Sequence, residues 1–139
     1  MYSIIKKLQF LLIENHGEYY RDFPWRHTKD PYMIMIAEFM LHRTRAEQVI
    51  PVYNDFILRY PDVYALSRAE KDDLEFISRR LGLHWRVDHF TNSAKYICER
   101  FNGIFPEDRH ELQKIPGVGE YASGAISTVC FNKKEHVIE

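Results

Sequence analysis

"LQKIPGVGEY", residues 112–121, decides the fold. Pro116, Gly117, Val118 and Gly119 interrupt two segments whose apolar spacing is helical. Two glycines around one small apolar residue suit a turn so tight that the next helix begins at once, with its first amides pointing outward. Leu112, Ile115, Val118, Ala122 and Ile126 are spaced to pack the flanking helices on each other, and Ala122 keeps that contact close. The stretch therefore predicts a helix-hairpin-helix element. The amides at the start of its second helix form an anion site that reads no sequence, and a DNA phosphate is a natural guest. The competing reading is a plain helix connection with glycine as C-cap.

Outward from the hairpin, the chain reads as helices with almost no strand-like alternation. Ile4, Ile5, Leu8, Leu11 and Leu12 recur at helical spacing, with Gly17 as a stop. Asp30 as N-cap and Pro31 at the first helical position open a very apolar helix to about Leu41. Thr44 with Glu47 gives a capping-box pattern for a helix to about Tyr60, kinked at Pro51. Ser67 with Glu70 repeats the pattern for a helix closed by Gly82, and another helix runs from about Arg86 to Phe101, stopping near Gly103. Pro106 and Glu107 introduce a short helix to Ile115, and the last helix runs from Glu120 to about Phe131. One all-α unit is expected, without repeat or linker, residues 1–20 being an N-terminal helix and 21–139 the hairpin-bearing domain.

Composition excludes several alternatives. With 45% hydrophobic and 14% aromatic residues over 139 positions, the chain can bury a core of its own and is not a disordered tail. Its two cysteines, Cys98 and Cys130, are too few for a disulfide scaffold or a four-thiolate metal site, so no metal is expected and a reducing, cytoplasmic setting fits. Lys6, Lys7 and Glu14 interrupt the apolar start, leaving no signal core or membrane span. A formal net charge of -1 argues against a general polyanion binder. Locally, however, "RRLGLHWRVDH" at 79–89 sets three arginines, two histidines and a tryptophan against one aspartate.

Glu38 stands out within "PYMIMIAEFML". Its helical neighbours Ile34, Met35, Leu41 and His42 offer no acidic or polar stripe to join. An unpartnered carboxylate there would cost on the order of several kcal/mol, or its pKa would rise until it held a proton near neutrality, as a general acid requires. The alternative is a structural glutamate paired with a base such as Arg43 or Arg86.

The succession "RDFPWRHTKDPYMIMIAEFMLHRTRAEQVIPVYNDFILRYPD", "LGLHWR", "FP" and "IPGVGEYASGAI" resembles the helix-hairpin-helix DNA glycosylase superfamily, which includes endonuclease III. It is most similar to the branch acting on adenine at A/G mismatches and on thymine at T/G mismatches, from about Arg21 to the last residue. The resemblance implies a helical bundle of the endonuclease III-like fold. It also implies a double-stranded DNA partner with a mismatched or damaged base, and base-excision repair in which one nucleotide is flipped out and its N-glycosidic bond cut.

Carried over residue by residue, the resemblance makes Glu38 the group that protonates or orients the departing base. Arg43, with His42 beside it, matches the position that wedges into the vacated stack, the other reading of Arg43 being a phosphate or carboxylate contact. Trp25 and Arg26 match a signature near the pocket, although Trp25 also suits the core. Trp85 and Arg86 match a DNA-facing rim, and Gly117, Val118 and Gly119 the phosphate contact. A monovalent cation at the hairpin carbonyls occurs in several members. Tyr121 stands where strand-cleaving members carry a Schiff-base lysine, implying a monofunctional enzyme with thymine or uracil opposite G preferred and adenine opposite G or 8-oxoG next.

Two departures accompany the resemblance. Many members continue past this point with four cysteines around an iron-sulfur cluster, whereas these 139 residues end at Glu139 without them, so no cofactor is expected in this chain. The family's catalytic aspartate falls on Glu139, which has the same charge on a longer stem. The apolar stripe of the N-terminal helix is expected to self-associate. The alternative function is a non-catalytic helix-hairpin-helix DNA-binding module.

Overall fold

The computed structural model describes residues 23–42, 44–82 and 87–132. All regular elements among these residues are helical. A 3-10 turn, Pro24–His27, precedes α1 (Pro31–Leu41), α2 (Ala46–Arg59), α3 (Val63–Ser67), α4 (Lys71–Arg79), α5 (Val87–Phe101), α6 (Arg109–Gln113) and α7 (Glu120–Phe131). The expected helix at residues 1–20 lies outside the described residues.

α1 is the central element because it is apolar nearly all round. Asp30 starts it by accepting a hydrogen bond from the Tyr32 amide at 2.9 Å, and Pro31 supplies a pre-set first helical residue. Met35, Ile36 and Met40 are fully buried, and α1 packs between α2 on one side and α7 on the other. An aromatic cluster ties it to the rest of the core. Phe39 meets Phe90 of α5 edge-on at 5.7 Å, and Phe90 meets Phe56 of α2 at 4.9 Å. Tyr32 also donates its hydroxyl proton to the Tyr60 carbonyl, fixing the start of α1 to the end of α2. Trp25 is half-buried, stacked on Phe23 and edge-on to Tyr53, both at 5.2 Å, which agrees with its core reading.

Three local expectations are corrected. Thr44 does not cap α2: its hydroxyl donates to the His42 carbonyl at 3.4 Å, and Arg45 is the capping position without a side-chain bond. Ser67 and Glu70 do not form one capping box. A short helix, α3, is capped by Asp62 accepting from the Ala65 amide at 2.9 Å; it ends at Ser67, and Glu70 precedes the separate α4. The helix before the hairpin begins at Arg109, not at Pro106, and ends at Gln113. Pro51 sits inside an α2 that continues to Arg59. α5 ends as expected, through Asn102 and Gly103 at φ +56° and +81°.

Candidate DNA-facing site

The hairpin turn is built by its residue types. Val118 donates its amide to the Ile115 carbonyl at 2.9 Å, which places Pro116 and Gly117 at the two central positions. Proline suits the first through its fixed φ, and Gly117 takes φ +87° at the second, where L side chains are strained. Leu112, Ile115, Val118 and Ile126 are buried between α6 and α7, as the spacing predicts.

Behind the turn, Ser123 acts as a polar hub. Its Oγ donates to the Glu120 carbonyl at 2.9 Å and accepts from Arg109 Nε at 3.3 Å and Gln113 Nε2 at 3.2 Å. Arg109 also donates through Nη2 to the Glu120 carbonyl at 3.2 Å and approaches the Glu120 carboxylate at 3.6 Å. These bonds hold the first turn of α7 against α6. The helical ladder starts with Ser123 N to Gly119 O at 3.0 Å, so the amides of Glu120, Tyr121 and Ala122 precede it, and no side chain caps this end.

Those amides border a cleft of about 630 Å³ lined by Glu38, Phe39, Leu41 and His42 from α1 and its end, His89 from α5, and Gly117, Gly119, Glu120, Tyr121 and Ala122 from the hairpin. The packing of α1 beside α7 thus brings together sequence positions some eighty residues apart. Glu38 is half-buried in this cleft, and burial alone pushes its carboxyl up to about 7. Among the described residues no basic group pairs with it to oppose that rise. Tyr121 is 76% exposed at the rim, an unusual position for a large ring in a chain with an ample core.

The two hairpin glycines differ in what holds them. A Cβ on Gly117 would meet Phe39 Cζ at 3.1 Å and the Cβ and Cγ of His89 at 3.2 Å, so glycine is required there by conformation and by packing. Gly119 has φ -95° and nothing within 4 Å of such a Cβ. Its bare backbone leaves the approach to the neighbouring amides open rather than fitting the protein against itself.

Of the residues singled out by sequence, the structure gathers Glu38, His42, Gly117, Gly119 and Tyr121 around one cleft. Val118 instead turns inward and is buried, leaving only its backbone to the turn. Arg43, Trp85, Arg86 and Glu139 lie outside the described residues. His89, counted in the sequence only within the basic stretch 79–89, lines this cleft as well. Its signal was a histidine between the buried Val87 and Phe90, but its contact with Gly117 depends on tertiary packing. Among the described residues no group of three His, Cys, Asp or Glu could hold a metal ion, and no helix is long and apolar enough to cross a membrane. Cys98 and Cys130 are free thiols.

No protein-family model matches the chain. Curated relatives do. A thymine-DNA glycosylase of Aeropyrum pernix is 36% identical over 137 residues, covering 97% of this chain and 61% of that protein. A thymine/uracil-DNA glycosylase of Pyrobaculum aerophilum is 32% identical over 86% of this chain and 52% of its own length. An adenine DNA glycosylase of Buchnera aphidicola is 38% identical over 81% of this chain and 32% of that protein. The chain therefore spans under two thirds of the length of these relatives. Among solved structures, a thermostable thymine-DNA glycosylase superposes with TM-score 0.80 at 33% identity, over 84% of this chain and 54% of that one. A trapped endonuclease III–DNA complex superposes with TM-score 0.72 at 21% identity, over 91% and 60%, a likeness of fold. By its hairpin, its helical architecture and these relatives, the chain belongs to the helix-hairpin-helix DNA glycosylase superfamily.

Proposed function

We propose that this chain carries the base-excising cleft of a monofunctional DNA glycosylase of base-excision repair, acting on thymine or uracil opposite G and, as second choice, on adenine opposite G or 8-oxoG. The observation that carries this reading is the placement of Glu38, with its carboxyl pushed up to about 7, in the same cleft as the uncapped hairpin amides. The hairpin side of the lining offers dipoles for a backbone phosphate, and Glu38 offers a proton held closer to neutrality than on an ordinary glutamate. The relatives named for thymine, thymine/uracil and adenine excision support the substrate class.

In this reading the hairpin amides take a phosphate of the duplex and the flipped base enters the cleft beside Glu38. The bond between the base nitrogen and C1′ breaks, and the base leaves with the proton of Glu38. A water oxygen adds to C1′, and the proton that this water loses returns to the ionised Glu38 carboxylate, restoring the acid. Glu139 supplies the carboxylate for the positive charge on the sugar, as the family aspartate does. Tyr121 has no amine with which to attack C1′, so the reaction ends with the strand uncut.

Two cysteines do not supply the four ligands of an iron-sulfur cluster, and no step depends on one. A monovalent cation would be held by hairpin carbonyls such as Ile115 O, which keeps a lone pair beyond the bond from Val118. Self-association through the stripe at residues 4–12 belongs to the same proposal, and a monomer by light scattering at roughly ten micromolar and above would remove it.

The test is single-turnover base release from T/G, U/G and A/G duplexes with protein in excess. Release from T/G and U/G ahead of A/G is expected. Tight duplex binding with no release from any of them would replace this reading with a non-catalytic DNA-binding module.

A further inference from the structure

The cleft has an electrostatic peculiarity. Its described lining contains two carboxylic acids, Glu38 and Glu120, two histidines, and no lysine or arginine. Glu38 is half-buried, and the solvent-exposed acid of the two is Glu120. It occupies the first position of α7, next to Gly119 and to the amides that the proposed function assigns to a DNA phosphate. Its side chain is 78% exposed, whereas that of Arg109, which it approaches at 3.6 Å, is only 17% exposed. Arg109 is in turn fixed by its bonds to Ser123 Oγ and the Glu120 carbonyl. The base is anchored and the acid is free to reach into solvent.

A carboxylate at the start of a helix has two opposite effects. It stabilises the helix through the dipole, and it places negative charge in the field that would otherwise attract a phosphate. The ion pair with Arg109 offsets the second effect only in part, because an exposed carboxylate near a solvent-facing amide cluster keeps most of its own field. Neither role requires packing, since Glu120 is exposed.

We propose that Glu120 is an affinity-limiting residue: its carboxylate opposes the backbone phosphate at the hairpin, with Arg109 as its partial counter-charge, and so weakens the hold on every duplex alike. The inference rests on the proposed phosphate role of the hairpin. A hairpin so tuned lets the product duplex leave more readily, because phosphate contacts hold substrate and product equally.

The test is duplex affinity of wild type, Glu120→Gln and Gly119→Asp across a salt series, using matched and T/G-mismatched DNA of one length. Glu120→Gln is expected to bind both duplexes roughly three- to tenfold more tightly at low salt, the gain shrinking as salt rises. Gly119→Asp is expected to weaken both. If Gly119→Asp weakens binding while Glu120→Gln leaves it unchanged or weaker, the Glu120 inference falls and the phosphate role stands. If Gly119→Asp has no effect, the phosphate role falls and the inference with it. A melting curve of Glu120→Gln reads the helix-dipole effect separately, and a lower melting temperature with unaltered affinity would assign Glu120 to helix stability alone.

Discussion

A Cβ on Gly117 would stand 3.1 Å from Phe39 Cζ, so the hairpin turn rests directly on the residue that follows Glu38 in α1. The segment of α1 that carries Glu38 and the turn that precedes the first amides of α7 are thereby in direct contact, backbone against ring. The left-handed φ of Gly117 and this contact both exclude a larger residue.

Gly117→Ala should therefore destabilise the fold by roughly 1–3 kcal/mol, through strain and displacement of Phe39 or His89. Gly119→Ala should stay within about 0.5 kcal/mol of wild type, because nothing lies within 4 Å of its Cβ and its φ is ordinary. Chemical denaturation distinguishes them; equal costs at the two glycines would contradict the separation of a packing role from an access role.

Glu38→Gln should stabilise the protein while removing its chemistry. Burial raises the folded carboxyl from 4.5 to about 7, so the native state binds its proton more strongly than the unfolded chain. Stability from this group is complete below about 4.5 and is lost as pH rises through about 7. Glutamine never ionises. The variant should match wild type at acid pH and exceed it by on the order of 1–3 kcal/mol at pH 8. Had Glu38 been a structural partner of a base, the variant would be less stable at pH 8, and that outcome would sink the acid assignment.

The same shift sets the pH profile of base release. Activity that needs protonated Glu38 should be level at mildly acidic pH and fall tenfold per unit well above about 7. A profile that rises through neutrality would require another group to supply the proton.

Tyr121 yields a simpler expectation. Borohydride treatment of a mixture with abasic-site DNA should trap no covalent adduct, because no amine stands at this position. A trapped complex would overturn the monofunctional assignment.

Most of this was legible in the sequence wherever the signal was local. Asp30 and Pro31 at the head of α1, the stop at Gly103, and α7 from Glu120 to Phe131 follow from capping and turn chemistry that needs no tertiary partner. Glu38 was legible because an apolar helix gives a carboxylate no stripe to join. α3 was missed because five residues burying only Val63 and Leu66 leave too short a period to read, and because Ser67 and Glu70 imitate a capping box across a real break. His89 could not be assigned from its neighbours, since its role comes from Gly117 and Phe39 on two other segments. The Arg109–Ser123–Glu120 hub is of the same kind: each side chain is ordinary, and only the packing of α6 on α7 joins them.

The most direct test of the account is single-turnover release of thymine from a T/G duplex by wild type and Glu38→Gln, with duplex binding measured on the same samples. Release by wild type, loss of at least roughly a hundredfold in the variant, and equal binding by both are the predicted results. Equal rates of release, or no release by the wild type despite tight binding, would contradict the assignment of Glu38 as the acid of a base-excising cleft.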